Sequence, residues 1–180
     1  YAQGKKTCRV CVVGGGPTGA EIAANIDGLR QRMGGQTSIT LLTGGERLLA
    51  GFPAAAAKKL ADLLAKRGID VRFSTRIAGL ERNDNVVQVK TVKGETLEFD
   101  EAILATGLIP SPTVSALGLG ENGMAVDKHL TALDDNAIFG AGDCISFTER
   151  ELPKVGVFGV RQAPVLKDNL VAAAQGVPLA

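Results

Sequence analysis

Residues 12–23 read VVGGGPTGAEIA and contain the glycine spacing G-x-G-x-x-G, which starts at Gly14. Residues 9–13, directly before Gly14, form a short apolar run rich in valine, which is typical of a buried parallel strand. Apolar residues then recur at helical spacing over 20–33 and stop at Gly34. The sequence therefore predicts a strand, a glycine-rich turn and a helix in direct succession.

The three glycines of this spacing have separate mechanical roles. Gly14 allows a tight turn, Gly16 lets a pyrophosphate approach the backbone, and Gly19 allows the helix to pack closely on the strand. Pro17 suits the first turn of a helix, whose N-terminus attracts phosphate. An ordinary surface turn is the alternative, and the flanking strand and helix argue against it. We therefore predict that the turn binds a dinucleotide.

The type of dinucleotide depends on the residues that follow the second strand. An acidic residue ~20 residues after the glycines would bind the ribose hydroxyls of NAD. The residue at that place is Thr43, which is not acidic. Glu46 follows and can still reach the ribose, whereas Arg47 can pair with the 2′-phosphate of NADP. A solvated loop is the alternative for both side chains. The sequence favours NAD and leaves NADP open.

The segments after the turn predict the rest of an α/β domain. Residues 38–42 form a second buried strand, which should run parallel to the first because a helix connects them. A helix is expected over 54–67, with Gly68 at its end and a strand over 69–73 after it. The first helix has apolar residues at helical spacing at Ile22, Ala23, Ile26, Leu29 and Met33. In the second helix, Ala56, Leu60, Leu63 and Leu64 are expected to face inward.

The hydrophobic period then changes from helical to alternating. Three strands, 78–81, 86–92 and 97–99, are separated by polar turns and should form an antiparallel meander. Residues 102–104 return to the buried parallel type. A plain Rossmann domain would have a crossover helix in place of the meander. The predicted fold class is therefore a Rossmann-like, three-layer α/β domain with a parallel sheet and an antiparallel three-stranded meander.

Beyond residue 107 the sequence is looser and richer in proline and glycine, which indicates a domain boundary there. A strand is expected over 137–139, leading directly into Gly142 and Asp143. A final helix is expected over 162–175, with Val165, Leu166, Leu170 and Ala173 at its helical spacing.

Composition excludes several classes of partner. The 180 residues carry a net charge of +1 without basic or acidic runs, so binding to nucleic acid is not expected. The apolar stretches are too short to span a bilayer, so membrane contact is expected to be peripheral if it occurs. The near-neutral charge also favours a small substrate. Three cysteines and the lack of a secretory leader favour a cytoplasmic protein.

No pattern of residues indicates a catalytic or metal site. Cys8 and Cys11 are expected in one strand with side chains on opposite faces, and Cys144 has no second cysteine nearby. His129 is the single histidine, lacks metal-ligand spacing, and is expected on the surface or in a turn. Neither an acid, a base nor a nucleophile is therefore assigned.

Three motifs resemble those of a known family. Residues 12–23 resemble its nicotinamide-domain fingerprint, 103–110 (ILATGLIP) the turn where the chain leaves that domain, and 138–144 (IFGAGDC) its second flavin motif. The family is the two-dinucleotide-binding-domain flavoproteins, also called the pyridine nucleotide-disulfide oxidoreductase superfamily. The resemblance implies NAD(P)H and FAD as cofactors.

The resemblance also implies roles for particular residues. Asp143 is expected to accept hydrogen bonds from the ribityl chain of FAD, and Glu21 to point toward the nicotinamide ribose and amide. A helix-surface glutamate is the alternative for Glu21, and a turn or helix-capping residue for Asp143. The full set of expected cofactor-binding residues is Gly14, Gly15, Gly16, Pro17, Thr18, Gly19, Glu21, Thr43, Glu46, Arg47, Ala105, Thr106, Gly107, Gly142 and Asp143.

The family pattern divides the chain into an NAD(P)H-binding domain, 1–107, and a C-terminal part of the FAD-binding domain, 108–180. It implies an N-terminal FAD lobe that this sequence lacks, so the chain alone is expected to be inactive. The implied activity is transfer of hydride from NAD(P)H to the flavin and onward to an acceptor such as a quinone. Residues 48–53 and 154–164 look most like type II NADH dehydrogenases and flavoprotein modules attached to selenophosphate-synthesising enzymes.

Two other interpretations stay open. A nucleotide-sensing or partner-binding module would keep the same fold without turnover. The second interpretation is a simple NAD-dependent dehydrogenase with its own substrate domain. The meander and the Gly142-Asp143 motif argue against it.

Overall fold

A computed structural model describes residues 7–180. Residues 1–6, which the sequence analysis assigns to the first domain, lie outside this range. The contacts divide the chain into two compact units, with the division after Gly107. The elements of the first unit are β1 (Cys8–Val13), α1 (Pro17–Met33), β2 (Thr37–Leu42), α2 (Ala54–Lys66), β3 (Asp70–Arg72), β4 (Ile77–Asn83), β5 (Val86–Thr91), β6 (Thr96–Phe99) and β7 (Glu101–Leu104).

The first unit has three layers. Its central sheet is parallel, with the strand order β3-β2-β1-β7, and the separate antiparallel sheet has the order β4-β5-β6. Val12 of β1 packs with residues of α1 and α2, whereas Cys11 and Val13 pack with Val87 and Val89 of the meander. This alternation follows from the two-residue period of a strand. The predicted Rossmann-like α/β fold with a meander is confirmed.

The buried faces of the two helices match the sequence in part. In α1 the buried positions include Ala20, Ala23 and Asp27, whereas Leu29 and Met33 are exposed. The small alanines allow the helix to lie close to the sheet, and this places the larger residues beyond the contact.

In α2 the predicted inward residue Leu64 is buried, and Leu60 packs against the same core. The other two predicted inward residues, Ala56 and Leu63, are exposed, and Ala57 is buried instead.

Asp27 connects α1 to the chain that follows α2. Its carboxylate is fully buried and accepts hydrogen bonds from Arg30 (Nε to Oδ1, 3.0 Å), Gln31 (Nε2 to Oδ2, 2.8 Å) and Arg67 (Nε to Oδ2, 2.6 Å). Arg67 also donates to the carbonyl oxygen of Ala24 at 2.7 Å. Hydrogen bonding from Arg30, supported by Arg67, lowers the pKa of Asp27 although burial acts in the opposite direction.

Replacement of this carboxylate is expected to destabilise the first unit. Asp27→Asn removes the charge that the two arginines share, and we expect a loss of about 2 kcal/mol in the free energy of unfolding. Because the folded-state pKa is lowered, the contribution is present above the unfolded pKa of about 4 and disappears as the pH falls through the folded value. Urea denaturation of both proteins at neutral and acidic pH should show their stabilities converging in acid.

The second unit is smaller and has its own core. Its elements are α3 (Pro112–Ala116), β8 (Met124–Val126), a short 3-10 turn (Gly142–Cys144), β9 (Ile145–Phe147) and α4 (Gly156–Gln175). The strands β8 and β9 pair in parallel, and residues on both of them belong to one apolar cluster.

The strand predicted over 137–139 is wrong. Ala137 lies in a turn, and Phe139 makes a single bridge to Thr131. The cause is Asp135, whose carboxylate accepts from the Ala137 amide at 2.9 Å and whose carbonyl accepts from the Ile138 amide at 3.0 Å. A side chain that bonds nearby backbone in this way favours a turn over a strand. The strand instead forms after the Gly142 turn, as β9.

The final helix starts earlier than predicted and buries a polar residue. It begins at Gly156. Of the apolar residues at its helical spacing, Leu166 packs against the core of the second unit, whereas Val165, Leu170 and Ala173 are exposed. Asn169 is fully buried, donating to the carbonyl of His129 at 2.9 Å and accepting from the Ala180 amide at 2.7 Å. These partners make burial of the amide side chain favourable. No helix within residues 7–180 is long and apolar enough to cross a membrane.

Candidate functional site

The glycine-rich turn connects the carboxyl end of β1 to the N-terminus of α1. Gly14 has φ +133° and donates its amide to the carbonyl of Leu42 at 2.8 Å. Gly16 precedes the helix with φ −79°, and no side chain caps the amides of the first turn. Pro17 and Thr18 are exposed. The turn therefore presents backbone amides at a helix N-terminus, where the helix dipole favours an anion.

The four glycines of the turn differ in what surrounds them. A Cβ at Gly14 would overlap the carbonyl oxygen of Ala105, and a Cβ at Gly19 would overlap the carbonyl oxygen of Gly14. A Cβ at Gly15 would overlap the hydroxyl of Thr43. At Gly16, in contrast, nothing lies within 4 Å of the Cβ position. Three of the glycines are thus required by the protein's own packing, and the space at Gly16 fits a group from outside the chain.

Thr43 lies beneath the turn and not on its surface. The residue is 5% exposed, and its hydroxyl accepts from the Gly45 amide at 3.3 Å. Its side chain occupies the space that the missing Cβ of Gly15 leaves open. The structure therefore gives Thr43 the position of a support for the glycine-rich turn.

Glu46 and Arg47 lie in the exposed loop after β2. The guanidinium of Arg47 donates to the carbonyl of Ala50 at 2.6 Å and to that of Phe52 at 2.9 Å, which closes the loop on itself. Glu46 has neither a hydrogen bond nor an ion pair from its carboxylate to any residue in the range 7–180. Of the two side chains that the sequence singled out in this loop, only Glu46 is uncommitted.

A second segment, the residues just after β3, joins this loop, and no sequence motif points to it. The amide of Ser74 donates to the carbonyl of Gly45 at 2.9 Å, and that of Thr75 donates to the carbonyl of Thr43 at 2.8 Å. Arg76 follows, and its Cβ and Nε lie 3.5 Å from the Cβ position of Gly44. Because β2 and β3 are adjacent and parallel, the residues after each strand meet at one edge of the sheet. That topology is the signal that would have found Arg76.

The remaining candidates of the first unit surround the turn. Glu21 lies in α1, is exposed, and has no polar partner for its carboxylate within the described part of the chain. Ala105 donates its amide to the carbonyl of Val13 at 2.7 Å and packs against Gly14 and Gly19. Thr106 is exposed, and Gly107 has φ +120°. Ala105 is therefore part of the glycine-rich turn in space although it is distant in sequence.

In the second unit, Gly142 and Asp143 form the 3-10 turn. Gly142 has φ +75° and donates its amide to Gln162 Oε1 at 2.7 Å. Lys154 donates to the carbonyls of Asp143 at 2.8 Å and Ile145 at 3.1 Å. A cavity of about 270 Å³ adjoins the turn, and Asp143, Lys154 and Gln162 are among its lining residues. The turn is held from two sides, and the Asp143 side chain is not among its internal bonds.

The cysteines do not form a reactive site. Burial raises the pKa of Cys11 to about 12, so its thiol is protonated at neutral pH. Burial also raises the pKa of Cys8, and Cys144 donates its thiol to the carbonyl of Ala141. His129 lies in a turn, with Nδ1 2.7 Å from the carbonyl oxygen of Ala180. Over residues 7–180, no group of three or more His, Cys, Asp or Glu side chains is placed to hold a metal ion.

Known proteins resemble the chain over most of its length. A nitric oxide reductase FlRd-NAD(+) reductase of Escherichia coli is 30% identical over 166 residues, covering 91% of this chain and 42% of that protein. A glutathione reductase of Burkholderia cepacia is 26% identical over 185 residues, covering 96% of this chain and 40% of that protein. The chain therefore spans less than half the length of these relatives.

The comparison with solved structures gives the same picture. The crystal structure of LpdA from Mycobacterium tuberculosis superposes with a TM-score of 0.73 at 26% identity, covering 96% of this chain and 35% of that one. An engineered water-forming NADPH oxidase, solved with NADPH bound, has a TM-score of 0.72 at 21% identity, which shows a shared fold. The family model described as pyridine nucleotide-disulphide oxidoreductase matches residues 1–175. The chain therefore belongs to the pyridine nucleotide-disulphide oxidoreductase family.

Proposed function

We propose that this chain is the NAD(P)H-binding portion of an FAD-dependent oxidoreductase. In the whole protein it would pass hydride from NAD(P)H to flavin and on to an acceptor such as a quinone. The observation that carries this proposal is the open space at Gly16, beside an uncapped helix N-terminus at the carboxyl edge of a parallel sheet. Members of the family to which the chain belongs supply the class of reaction.

The dinucleotide pyrophosphate is assigned to the backbone from Gly15 to Thr18. The helix begins at Pro17, which has no amide hydrogen. The free amides at the helix N-terminus that can point toward the pyrophosphate therefore begin at Thr18. With no Cβ at Gly16, the phosphate oxygens can reach the backbone directly. Gly14, Gly19 and Ala105 act by fixing the shape of the turn.

The two ends of the dinucleotide are assigned to opposite sides of this turn. The adenosine ribose would lie over the loop that contains Glu46 and Arg47, beyond the end of β2. The nicotinamide ribose and amide would lie toward Glu21, whose exposed carboxylate can accept hydrogen bonds from them. Thr106 and Gly107 would border the same end.

Residues 108–180 are proposed as the distal part of an FAD domain. Asp143 fits this role because it lines a cavity and its backbone is fixed by Lys154, which leaves the side chain for a ligand. It would accept hydrogen bonds from the ribityl hydroxyls, while Gly142 and Gln162 keep the turn in place. FAD, when bound, would supply the redox chemistry, accepting hydride from NAD(P)H. The adenine half of FAD would be bound by a separate N-terminal lobe, the proposed partner of these residues.

The purified 180-residue chain should bind NAD(P)H but carry no FAD and catalyse no NADH-dependent dye reduction. The proposed dinucleotide site lies within one continuous unit. Residues 108–180, as proposed, would contact only the ribityl end of FAD. Calorimetry with NADH and NADPH tests the first part, and the flavin absorbance of the purified protein tests the second. A chain that binds neither dinucleotide would contradict the proposal, and stoichiometric FAD would contradict the need for a further lobe.

Turnover in the whole protein separates the enzyme from a nucleotide-sensing module of the same fold. Mixing the complete flavoprotein with NADH or NADPH under anaerobic conditions should bleach the flavin absorbance, and adding a quinone should restore it. A flavin that stays oxidised despite saturating dinucleotide would favour the sensing function.

A further inference from the structure

We propose that Arg76 binds the 2′-phosphate of NADPH and makes the phosphorylated dinucleotide the preferred ligand of this chain. The inference rests on the proposed dinucleotide function, and it assigns a phosphate-recognition role to a residue outside the loop after β2. The sequence alone favours NAD, with Glu46 able to reach the ribose, and leaves NADP open through Arg47. The position of Arg76 argues for NADPH.

Arg76 lies where the adenosine ribose is expected. Its side chain lies over Gly44, and its Nε is 3.5 Å from the position that a Cβ of residue 44 would take. A side chain larger than glycine at position 44 would therefore compete with Arg76 for space. The segment before it is fixed to the β2 loop by the bonds from Ser74 to Gly45 and from Thr75 to Thr43. The backbone of Arg76 is fixed on its other side by the Val92 amide, which donates to its carbonyl at 2.9 Å.

The guanidinium of Arg76 is available to a ligand. The side chain is exposed, and within residues 7–180 it has neither a hydrogen bond nor an ion pair. The two other arginines of this edge are engaged, since Arg47 donates to the carbonyls of Ala50 and Phe52 and Arg72 pairs with Asp70 at 2.9 Å. Of the three, Arg76 alone keeps its planar set of donors for the bidentate contact that a phosphate accepts.

The charges of the loop favour a phosphate over a ribose hydroxyl. The partners of Arg47 are neutral carbonyls, so its charge is not offset by them, and Glu46 is the single carboxylate of the loop after β2. The 2′-phosphate adds close to two negative charges at neutral pH. The attraction is between exposed groups and should weaken as salt is added. A ribose hydroxyl has no such salt dependence.

The test is calorimetric titration of the 180-residue chain with NADPH, NADH, 2′,5′-ADP and 5′-AMP. Wild type should bind NADPH more tightly than NADH, and 2′,5′-ADP more tightly than 5′-AMP. Arg76→Gln should lower the affinity for NADPH and 2′,5′-ADP by about tenfold or more, as expected for the loss of charge-assisted hydrogen bonds. Its affinity for NADH should stay within about twofold of the wild-type value. Arg76→Lys should retain part of the preference because it keeps the charge. Added salt should weaken the binding of NADPH more than the binding of NADH.

The matched control is Arg32→Gln, which makes the same change of charge at an exposed position in the last turn of α1, distant from the turn. This variant should bind NADH and NADPH with the wild-type affinities. Equal weakening of NADH and NADPH by Arg76→Gln, or tighter binding of NADH by wild type, would overturn the assignment of Arg76 and leave the dinucleotide site intact. Failure of wild type to bind either dinucleotide would overturn both the inference and the proposed function.

Discussion

Gly16→Val is expected to abolish NADH and NADPH binding while the protein stays folded. The backbone of Gly16 is extended, with φ −79° and ψ −179°, which a β-branched residue adopts readily. No atom of the chain lies within 4 Å of the new Cβ, so the valine meets no obstacle in the protein itself. Valine is a poorer helix N-cap than glycine, and we expect a cost of at most about 1 kcal/mol in the free energy of unfolding.

The loss of binding has a different cause from the loss of stability. The valine side chain would fill the space through which the pyrophosphate reaches the backbone amides, so affinity should fall below detection in calorimetry. Gly35→Val is the matched control, since Gly35 also has open space around its Cβ position and no positive φ, but follows α1 at its other end. It should bind as wild type does. A folded Gly16→Val protein with unchanged affinity would remove the phosphate site from this turn.

The elements that the sequence predicts correctly are those with a strong local period. The continuous apolar run from Val10 to Val13 lies in a strand, and the residues of the run are all buried, as such a run predicts. The alternating residues Val87 and Val89 lie in a strand and are buried on one face, as alternation predicts. The glycine-rich turn is recognisable for the same reason: its glycines, strand and helix are contiguous. A sequence window contains all the information that these elements need.

The errors arise where a polar side chain or a distant packing partner decides the structure. Asp135 converts an apolar run into a turn, and Asp27 is buried in α1 whereas the apolar Leu29 and Met33 are exposed. Neither result follows from hydrophobic period, because Asp135 bonds backbone amides just after it and Asp27 is held in part by the distant Arg67. Arg76 was missed because the sequence connects it to no motif, and only the pairing of β2 with β3 brings it to Gly44.

Gly19→Ala is expected to act mainly on stability, in contrast to Gly16→Val, which acts mainly on binding. The new Cβ would overlap the carbonyl oxygen of Gly14. That carbonyl cannot easily move, because the Gly14 amide is bonded to Leu42 and its Cα lies against the backbone of Ala105. We expect a loss of about 3 kcal/mol in the free energy of unfolding, at the upper end of the range for an overpacked core position.

A second glycine of the same helix provides the control with the opposite sign. At Gly28 the nearest atom to a new Cβ is a guanidinium nitrogen of Arg67 at 3.9 Å, which is an ordinary contact. Gly28→Ala should therefore stabilise the protein by up to about 1 kcal/mol, because alanine restricts the unfolded chain and favours the helix. Urea denaturation of wild type and both variants measures the two changes together. Similar stability of the two variants would mean that α1 does not approach β1 and β7 as closely as the Gly19 contact requires, and that Gly19 has no role in fixing the turn.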